Sequence, residues 1–377
     1  DVAPQEKKEL AVNVSGLKAK VGTEYFVNFS VTTLESEPLV PKGYEIAHEQ
    51  FRLPIDPASR SFSVQGPALQ CSENGNLLSV QSSRVAFVFD KSTGLVTSYK
   101  VKGTEYFHEG FGIQPNFWRA PNDNDYGSQM PKRLQIWKQS SKNFNVVDAS
   151  LAMDGKDAVL KVSYLLAAGN LYIATYRIHP SGVVKANYTF TSTEMEAAKT
   201  EASEATLMAT FTPGNEAIRK ESSKLVVPRI GVRFRLPAEM EQVTYFGRGP
   251  EENYCDRNNG TLVGEYQATA EQMYFPYVRP QENGHHTDTR WLMLKKKSGK
   301  GLAVYADGTL EFNSLRNSIE DFDGEEATHR DYQWGNRDAE ELKHDVSTAK
   351  NIKPRHTHIN DITPRDFVEV CLDMRQM

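Results

Sequence analysis

The side chains best suited to chemistry cluster in the segment Phe117–Gly127, whose sequence is FWRAPNDNDYG. Asn or Asp occupies the four consecutive positions from Asn122 to Asp125, and both residue types bond readily to their own backbone in turns. Arg119 can hold a carboxylate through two parallel hydrogen bonds. The composition therefore predicts a polar loop, which is either a self-capped surface turn or a loop that presents carboxylates and amides to a sugar.

Three glutamates are candidates for acid–base or nucleophilic chemistry because they lie in motifs rich in Gly, Pro and Asn. The motifs are YFGRGPEENYCDR at Tyr245–Arg257 and PYVRPQENGHHTDTRW at Pro276–Trp291. The glutamates are Glu251, Glu252 and Glu282. Retaining glycoside hydrolysis needs two carboxylates about 5–5.5 Å apart. The same motifs also carry three arginines, namely Arg248, Arg257 and Arg279. We therefore favour ion pairs or turn caps over catalysis for these glutamates.

Metal-binding patterns are weak. His285 and His286 are adjacent, and His356 and His358 would share one face of an extended stretch. Neither pair has further Cys or His ligands at the spacing of a zinc site. The segment Asn122–Gly127 does not match the pattern of a calcium-binding loop. We therefore expect no metal and no cofactor in this chain.

Short alternations of apolar and polar residues, typical of half-buried strands, must position these motifs. The predicted strands are Tyr25–Val31, Arg84–Phe89, Leu95–Val101, Ala158–Tyr164, Val183–Phe190, Val232–Leu236, Trp291–Leu294, Gly301–Tyr305 and Phe367–Leu372. Two hairpins are predicted to turn at Asp90–Gly94 and Lys295–Lys300. Helical spacing occurs at Asp338–Lys350. So many strands with so few helices predict an all-β fold in the form of a large antiparallel sandwich.

Composition excludes several classes of protein. The chain has 377 residues and a net charge of -5, with both signs mixed along the sequence, which predicts no nucleic-acid partner. No apolar run approaches the ~20 residues that a membrane helix needs, so we expect no membrane partner. The three cysteines lie far apart and predict buried or free thiols rather than a disulfide framework. They are Cys71, Cys255 and Cys371.

A domain boundary is predicted next to Gly66 and Pro67. Residues 1–66 contain short strands that resemble an immunoglobulin-type sandwich, but such a domain needs about 100 residues. The opening sequence DVAPQEKKEL lacks Met and is not a signal peptide. We therefore expect an incomplete sandwich at the start of a piece cut from a longer protein, followed by one large domain at residues 67–377.

The motifs FWRAPNDNDYG, YFGRGPEENYCDR and PYVRPQENGHHTDTRW, followed by the ending LDMRQM at Leu372–Met377, resemble the C-terminal part of the large β-galactosidases of glycoside hydrolase family 2. The resemblance extends over essentially the whole chain. It implies that residues 1–66 end the second immunoglobulin-like domain of that family. Residues 67–377 would be the small-chain domain, a supersandwich of the galactose mutarotase type that is truncated at its C-terminus.

The resemblance also implies where the chemistry lies. In that family both catalytic glutamates belong to a barrel, so we expect no catalytic residue in this chain. Mg²⁺ and Na⁺ are likewise expected in the barrel. The implied partners are that barrel, on the same chain or on a partner chain, and a galactoside substrate, in a parent that is a homo-oligomer. The compartment stays open between cytoplasm and periplasm.

By the same resemblance, one segment lies beside the mouth of the active site and moves when substrate binds. Its expected substrate-binding residues are Asn122, Asp123, Asn124, Asp125, Tyr126 and Gly127. Gly127 would be the hinge and Ser128 to Lys132 the mobile part. The tryptophan that stacks on the sugar in the family has no counterpart among the four tryptophans of this chain, which we expect in the core. These are Trp118, Trp137, Trp291 and Trp334.

Two other functions remain as alternatives. One is a carbohydrate-binding module without a catalytic partner, which would bind galactosides by itself. The other is a mutarotase-like enzyme that uses His285 or His286 with Glu282, an interpretation that rests on a shared fold, and fold does not establish function. A mutarotase would place one of these histidines in a cleft beside a carboxylate. A β-galactosidase piece would instead expose the segment Asn122–Gly127.

Overall fold

The computed structural model describes residues 2–14, 16–18, 20, 23–55, 61–167, 169–191, 226–277, 280–323 and 362–374. The chain divides into two compact units, Asp1–Ser63 and Val64–Met377, which we describe separately. Five features discussed above lie outside the described residues: the predicted helix Asp338–Lys350, Arg279, Trp334, His356 and His358.

The described residues of the first unit form one antiparallel pair of strands, β1 (Phe26–Thr32) and β2 (Glu45–Arg52). The predicted strand at Tyr25–Val31 is therefore present, but its predicted half-burial is wrong. Phe29 is 37% exposed and Val31 is 52% exposed. Among the described residues of this unit, β1 pairs with a single strand, and a two-stranded ribbon leaves most of both faces in water.

The second unit is built almost entirely of strands. Its described strands are β3 (Gln70–Asn74), β4 (Leu77–Gln81), β5 (Val85–Asp90), β6 (Leu95–Val101), β7 (Thr104–Glu105), β8 (Gln114–Asn116), β9 (Phe144–Asp154), β10 (Asp157–Leu166), β11 (Leu171–Ile178), β12 (Val184–Thr191), β13 (Gly231–Pro237), β14 (Gln242–Gly249), β15 (Leu262–Thr269), β16 (His286–Lys295), β17 (Gly301–Leu315) and β18 (Phe367–Asp373).

These strands form three antiparallel sheets. Strands β3 to β7 form a five-stranded sheet in chain order, and a four-stranded sheet has the order β12-β11-β10-β9. The third sheet has seven strands in the order β15-β14-β16-β17-β18-β13-β8. The all-β, antiparallel prediction is confirmed, and both predicted hairpins, β5–β6 and β16–β17, are present.

In the described part of the second unit, four short α-helices interrupt the strands. They are α1 (Asp123–Gly127), α2 (Met130–Arg133), α3 (Gln135–Ser140) and α4 (Ile319–Phe322). In the part of the chain that the structure describes, no helix is both long and apolar enough to cross a bilayer.

One hydrophobic core joins the three sheets. On β10 the predicted face of Ala158, Leu160, Val162 and Tyr164 is at most 1% exposed. The seven-stranded sheet contributes alternate residues in the same way, and β18 is buried along its whole length. Each such aliphatic side chain contributes about 1.5–3 kcal/mol to folding, so this core fixes the sheets that carry the motif segments.

Candidate functional site

The segment Asn122–Gly127 forms the short helix α1 and its N-cap, so the predicted loop is wrong. Asn122 is the N-cap: its side-chain oxygen accepts a 2.9 Å hydrogen bond from the Asp125 amide. The Asp125 carboxylate in turn accepts a 2.9 Å bond from the Asn122 amide. This reciprocal pair is a capping box, which satisfies two amides at a helix start. The tendency of Asn and Asp to bond nearby backbone therefore starts a helix here instead of closing a turn.

Arg119 holds the helix through the predicted two-pronged bond, and the carboxylate that it holds is Asp125. Its Nη1 lies 2.6 Å from Oδ2 and its Nη2 lies 2.9 Å from Oδ1. Asp125 is 9% exposed. Paired, charge-assisted bonds of this kind fix geometry as well as adding energy. Asp125 is therefore an anchor of the segment, because both of its oxygens are engaged inside the protein.

Other residues of the segment face outward. Asp123, Asn124 and Gly127 are exposed, and Tyr126 is half-buried. A Cβ atom added to Gly127 would meet no atom within 4 Å, and its φ is not in the left-handed region. The left-handed residue at this point is Gln129, with φ of 57°. The segment thus offers a carboxylate and an amide on an exposed turn of helix.

Trp118 fixes the chain just before the segment. Its indole Nε1 donates a 2.9 Å hydrogen bond to Asp323, which also accepts from Lys138 at 2.7 Å. Trp118 is 3% exposed and Trp137 is 1% exposed, which confirms the prediction that both are core residues. Trp291, in contrast, is only half-buried.

The two glutamate-containing motifs meet in space. The Asn253 amide donates to the His285 carbonyl at 2.7 Å, and the Asn253 side chain accepts from the Thr287 amide at 3.0 Å and hydroxyl at 2.7 Å. The Gly284 amide donates to Glu252 at 2.8 Å. Asn253 is fully buried, so its bonds lock the two motifs into one rigid junction.

Two of the three candidate glutamates, Glu252 and Glu282, bond an arginine, and the third, Glu251, is exposed. Glu252 pairs with Arg257 at 2.5 Å, as predicted, and also accepts from the Tyr277 hydroxyl. Burial and the neighbouring Glu252 raise the pKa of Tyr277 to about 12. Glu251 is exposed on the surface. Arg248 bonds Asp288 at 2.5 Å, so its predicted pairing with one of these glutamates is wrong.

Glu282 pairs with an arginine that sequence reasoning missed. Its Oε1 lies 2.6 Å from Nη2 of Arg229 and 3.2 Å from the Asn313 side chain. The Arg229 and Glu282 side chains are 2% and 3% exposed. Asp373 lies 3.7 Å from Nε of the same arginine. A carboxylate held in this way inside the protein is not free to attack or protonate a sugar.

The adjacent histidines lie in the same interior. His285 is 4% exposed, with Nε2 2.9 Å from Glu311 and Nδ1 4.0 Å from Glu282. His286 is 2% exposed and faces the Gly284 carbonyl at 3.0 Å. Burial lowers the pKa of His286 to about 4. The mutarotase interpretation needs a histidine in a cleft, and both histidines are instead buried beside fixed partners.

A row of ion pairs, called here the charge ladder, joins the arginines of β13 to Glu369 on β18 and to Glu320. Arg233 lies 3.4 Å and Arg235 2.8 Å from the buried carboxylate of Glu369. Arg233 also reaches Glu320 at 2.9 Å. Burial by itself would raise the pKa of Glu320, but the charge and hydrogen bond of Arg233 outweigh it and hold that pKa at about 2. In the sequence, Arg233 and Arg235 alternate with apolar residues, and this period-two pattern indicates that both arginines lie on one face of the strand.

The described residues contain no group of three His, Cys, Asp or Glu side chains placed to hold a metal ion. The buried carboxylates of Glu282 and Asp373 both lie beside Arg229, at 2.6 Å and 3.7 Å from its nitrogens. The positive charge beside these carboxylates is therefore the guanidinium of Arg229.

Comparisons with known proteins agree with these motifs. Residues 81–377 match the family model for the beta galactosidase small chain, and residues 1–54 match that for beta-galactosidase, domain 4. A Priestia megaterium protein named beta-galactosidase is 30% identical over 318 residues, which cover 84% of this chain and 28% of the relative.

Two more relatives carry the same name. The Streptococcus thermophilus protein is 26% identical over 350 residues, covering 91% of this chain and 30% of its own length. The Kluyveromyces lactis protein is 28% identical over 283 residues, covering 74% of this chain and 25% of its own. The chain thus spans less than a third of the length of these relatives.

Proposed function

The chain belongs to the β-galactosidase small-chain family, and on this premise we propose that it is the C-terminal, non-barrel portion of a retaining β-galactosidase that hydrolyses terminal β-D-galactosides. The observation that carries the proposal is the match of the small-chain family model over residues 81–377, preceded in the right order by domain 4 at residues 1–54. The names of the relatives supply the proposed substrate class.

In this proposal the catalytic carboxylates are on a barrel, either in the same chain or in a partner chain. Retention requires two carboxylates about 5–5.5 Å apart, one as nucleophile and one as acid and base. The glutamates in the motifs of this chain support that assignment by their surroundings, since Glu252 and Glu282 each bond an arginine. The Mg²⁺ and Na⁺ of the enzyme go with the barrel in this proposal, and the parent is a homo-oligomer.

The contribution of this chain is to brace the barrel and to form one wall of the pocket. The wall is the segment Asn122–Gly127, in which Asp125 anchors the helix while Asp123 and Asn124 project outward. An exposed carboxylate and an exposed amide can bond sugar hydroxyls. Because Arg119 bonds the Asp125 carboxylate and so fixes the helix, the side chains of Asp123 and Asn124 are held at a defined position.

The products of hydrolysis test the proposal. The chain, assembled with the catalytic barrel of this proposal, should hydrolyse a nitrophenyl β-D-galactoside, and proton NMR should show β-galactose as the first anomer released. Nitrophenyl β-glucuronide and β-mannoside should be poor substrates. Release of α-galactose first, or a preference for the glucuronide, would overturn the retaining β-galactosidase assignment.

A further inference from the structure

A groove lies on the surface of the second unit, beside the turn between β16 and β17. Three lysines stand in succession where β16 runs into this turn, at residues 295–297. The groove has a volume of about 440 Å³, and pockets that hold small ligands have volumes of about 300–1,000 Å³. We call it the lysine groove. Its lining includes residues 295–297, Gln242, Gln267, Thr269 and Gln272.

Three paired strands form the floor of the lysine groove. Gln242 on β14 is aligned with Thr269 on β15 and with Lys295 on β16, so the three residues form one row across the sheet. Val243 is 1% exposed and belongs to the core. Because successive strand residues point to opposite faces, Gln242 points away from the core. The backbones at the two ends of the row lie about 10 Å apart, since neighbouring strands are about 4.8 Å apart.

Thr269 and Gln272 are held so that their hydrogen-bond donors remain for a ligand. The side-chain oxygen of Gln272 accepts a 2.9 Å bond from the Thr269 amide. The Thr269 hydroxyl oxygen accepts a 3.1 Å bond from the Gln272 amide. These bonds fix the orientation of the Gln272 side chain, and its NH₂ group and the Thr269 hydroxyl hydrogen can still donate. This edge of the groove therefore suits a ligand that accepts hydrogen bonds.

The charged side chains that line the groove are all positive. Among the described residues, its lining contains three lysines and no aspartate or glutamate. Lys296 lies 3.9 Å from Glu239, whose side chain is 67% exposed, and an exposed pair at that distance neutralises little charge. Glu241, which precedes Gln242, lies 3.6 Å from Arg316 and is engaged there. The groove therefore has an excess of positive charge.

We propose that the lysine groove binds a small polyanion that carries two or more phosphate groups. A phosphate group brings a charge of about −1.5 to −2 and three strong acceptor oxygens. A lysine ammonium has three N–H donors and no acceptor, and lysine binds phosphate as a point charge. Three lysines therefore match the charge of more than one phosphate. The Gln272 and Thr269 donors bond the remaining oxygens.

Charge and size favour a small phosphate compound over other ligands. A neutral sugar would leave the three ammonium groups without counter-charges. A nucleic acid would extend beyond the groove, and the net charge of the chain, -5, works against its binding. An acidic peptide offers one charge and two oxygens per carboxylate, which is less than each phosphate supplies. A short polyphosphate concentrates charge and acceptors in the volume of the groove.

Calorimetric titration of the 377-residue chain with sodium tripolyphosphate at low ionic strength tests the proposal. Saturable one-to-one binding is expected, and inorganic phosphate should bind at least about tenfold more weakly because it reaches fewer lysines. Lys295→Gln should weaken tripolyphosphate binding about tenfold, which corresponds to the loss of one charged hydrogen bond. Gln272→Glu keeps an oxygen for the Thr269 amide but replaces the donor with a negative charge, so it should weaken binding at least as much.

The matched control is Lys156→Gln, which removes an exposed lysine from the β9–β10 turn of the four-stranded sheet and should leave binding unchanged. Circular dichroism and the urea midpoint establish that each variant is folded. Failure of the wild-type chain to bind tripolyphosphate at millimolar concentration would overturn the proposal. So would equal weakening by Lys156→Gln and Lys295→Gln, which would indicate attraction to surface charge in general. Tighter binding of an oligoglutamate peptide than of tripolyphosphate would overturn the assignment to phosphate.

Discussion

Glu282 and Arg229 form an ion pair of 2.6 Å although their side chains are only 3% and 2% exposed. The pair joins a residue of the motif PYVRPQENGHHTDTRW to one 53 positions earlier in the chain. Removing two charges from water is costly, and only their close, hydrogen-bonded contact compensates for it. The most conspicuous buried carboxylate of the motifs is therefore committed to the architecture of the seven-stranded sheet, which is consistent with chemistry located on another domain.

Removing Glu282 should destabilise the second unit strongly. Glu282→Ala leaves Arg229 with a diminished set of counter-charges in the interior, and breaking a buried pair costs about 3–5 kcal/mol. Urea unfolding followed by near-ultraviolet circular dichroism measures the change. Glu251→Ala is the matched control, because that glutamate of the neighbouring motif is exposed, and its effect should stay within about 0.5 kcal/mol. Equal stability of the two variants would contradict the structural role.

Asp125 should matter more for stability than its exposed neighbours. Asp125→Ala removes the capping box and both bonds to Arg119 at once, and caps and charged hydrogen bonds together contribute about 1–3 kcal/mol. The loss is measured by chemical denaturation. Asp148→Ala on β9 is the control, since that carboxylate is exposed. If Asp125→Ala unfolds at the wild-type midpoint, Asp125 does not stabilise the segment and its assigned role is wrong.

His286 should make the second unit less stable in mild acid. Burial holds the pKa of His286 at about 4 in the folded chain, below its ordinary value of 6.5. The unfolded chain therefore binds a proton that the folded chain refuses between those values. The contribution of neutral His286 to the free energy of unfolding is fully present above pH 6.5. It is lost as the pH falls towards 4, and the loss is at most about 3 kcal/mol.

The measurement is the free energy of unfolding at several pH values for the wild type and for His286→Gln. The variant should show a shallower decline between pH 6.5 and 4, whatever its stability at neutral pH. His48→Gln, in the first unit, should leave the decline of the second unit unchanged. Parallel curves for wild type and His286→Gln would show that another group causes the acid sensitivity.

The exposed residues of the segment should act on substrate binding. In the assembled enzyme, Asp123→Ala and Asn124→Ala should each raise KM for a nitrophenyl galactoside about three- to tenfold, the equivalent of one hydrogen bond, with little change in unfolding midpoint. Gln135→Ala on α3 is exposed as well and should leave KM unchanged. Unaltered KM in both segment variants would remove the segment from the pocket wall.

Strands and hairpins could be predicted from sequence because one face of each is buried. Ala158, Leu160, Val162 and Tyr164 alternate with less buried residues on β10, and the structure buries all four. The same logic failed on β1, where Phe29 follows the pattern and is 37% exposed. Alternation records which residues could share a face, and burial requires a second layer that packs against it.

Contacts between distant residues could not be predicted. Nothing near Glu282 in the sequence points to Arg229, because the pair depends on how the residues just before β13 and those just before β16 meet in the folded chain. The helix α1 was missed for another reason. Its residues have low helix propensity, but Asn122 and Asp125 cap the helix start and Arg119 holds it, and these tertiary and capping contacts override propensity.

Hydrolysis of a chromogenic β-galactoside by the purified chain, alone and then assembled with the catalytic barrel, tests the account most directly. We expect no turnover by the chain alone, because the glutamates of its motifs are tied to Arg229 and Arg257 or lie apart on the surface. Turnover should appear when the barrel is added. Activity of the chain alone would contradict the account and would return Glu251, Glu252 and Glu282 to consideration as catalytic groups.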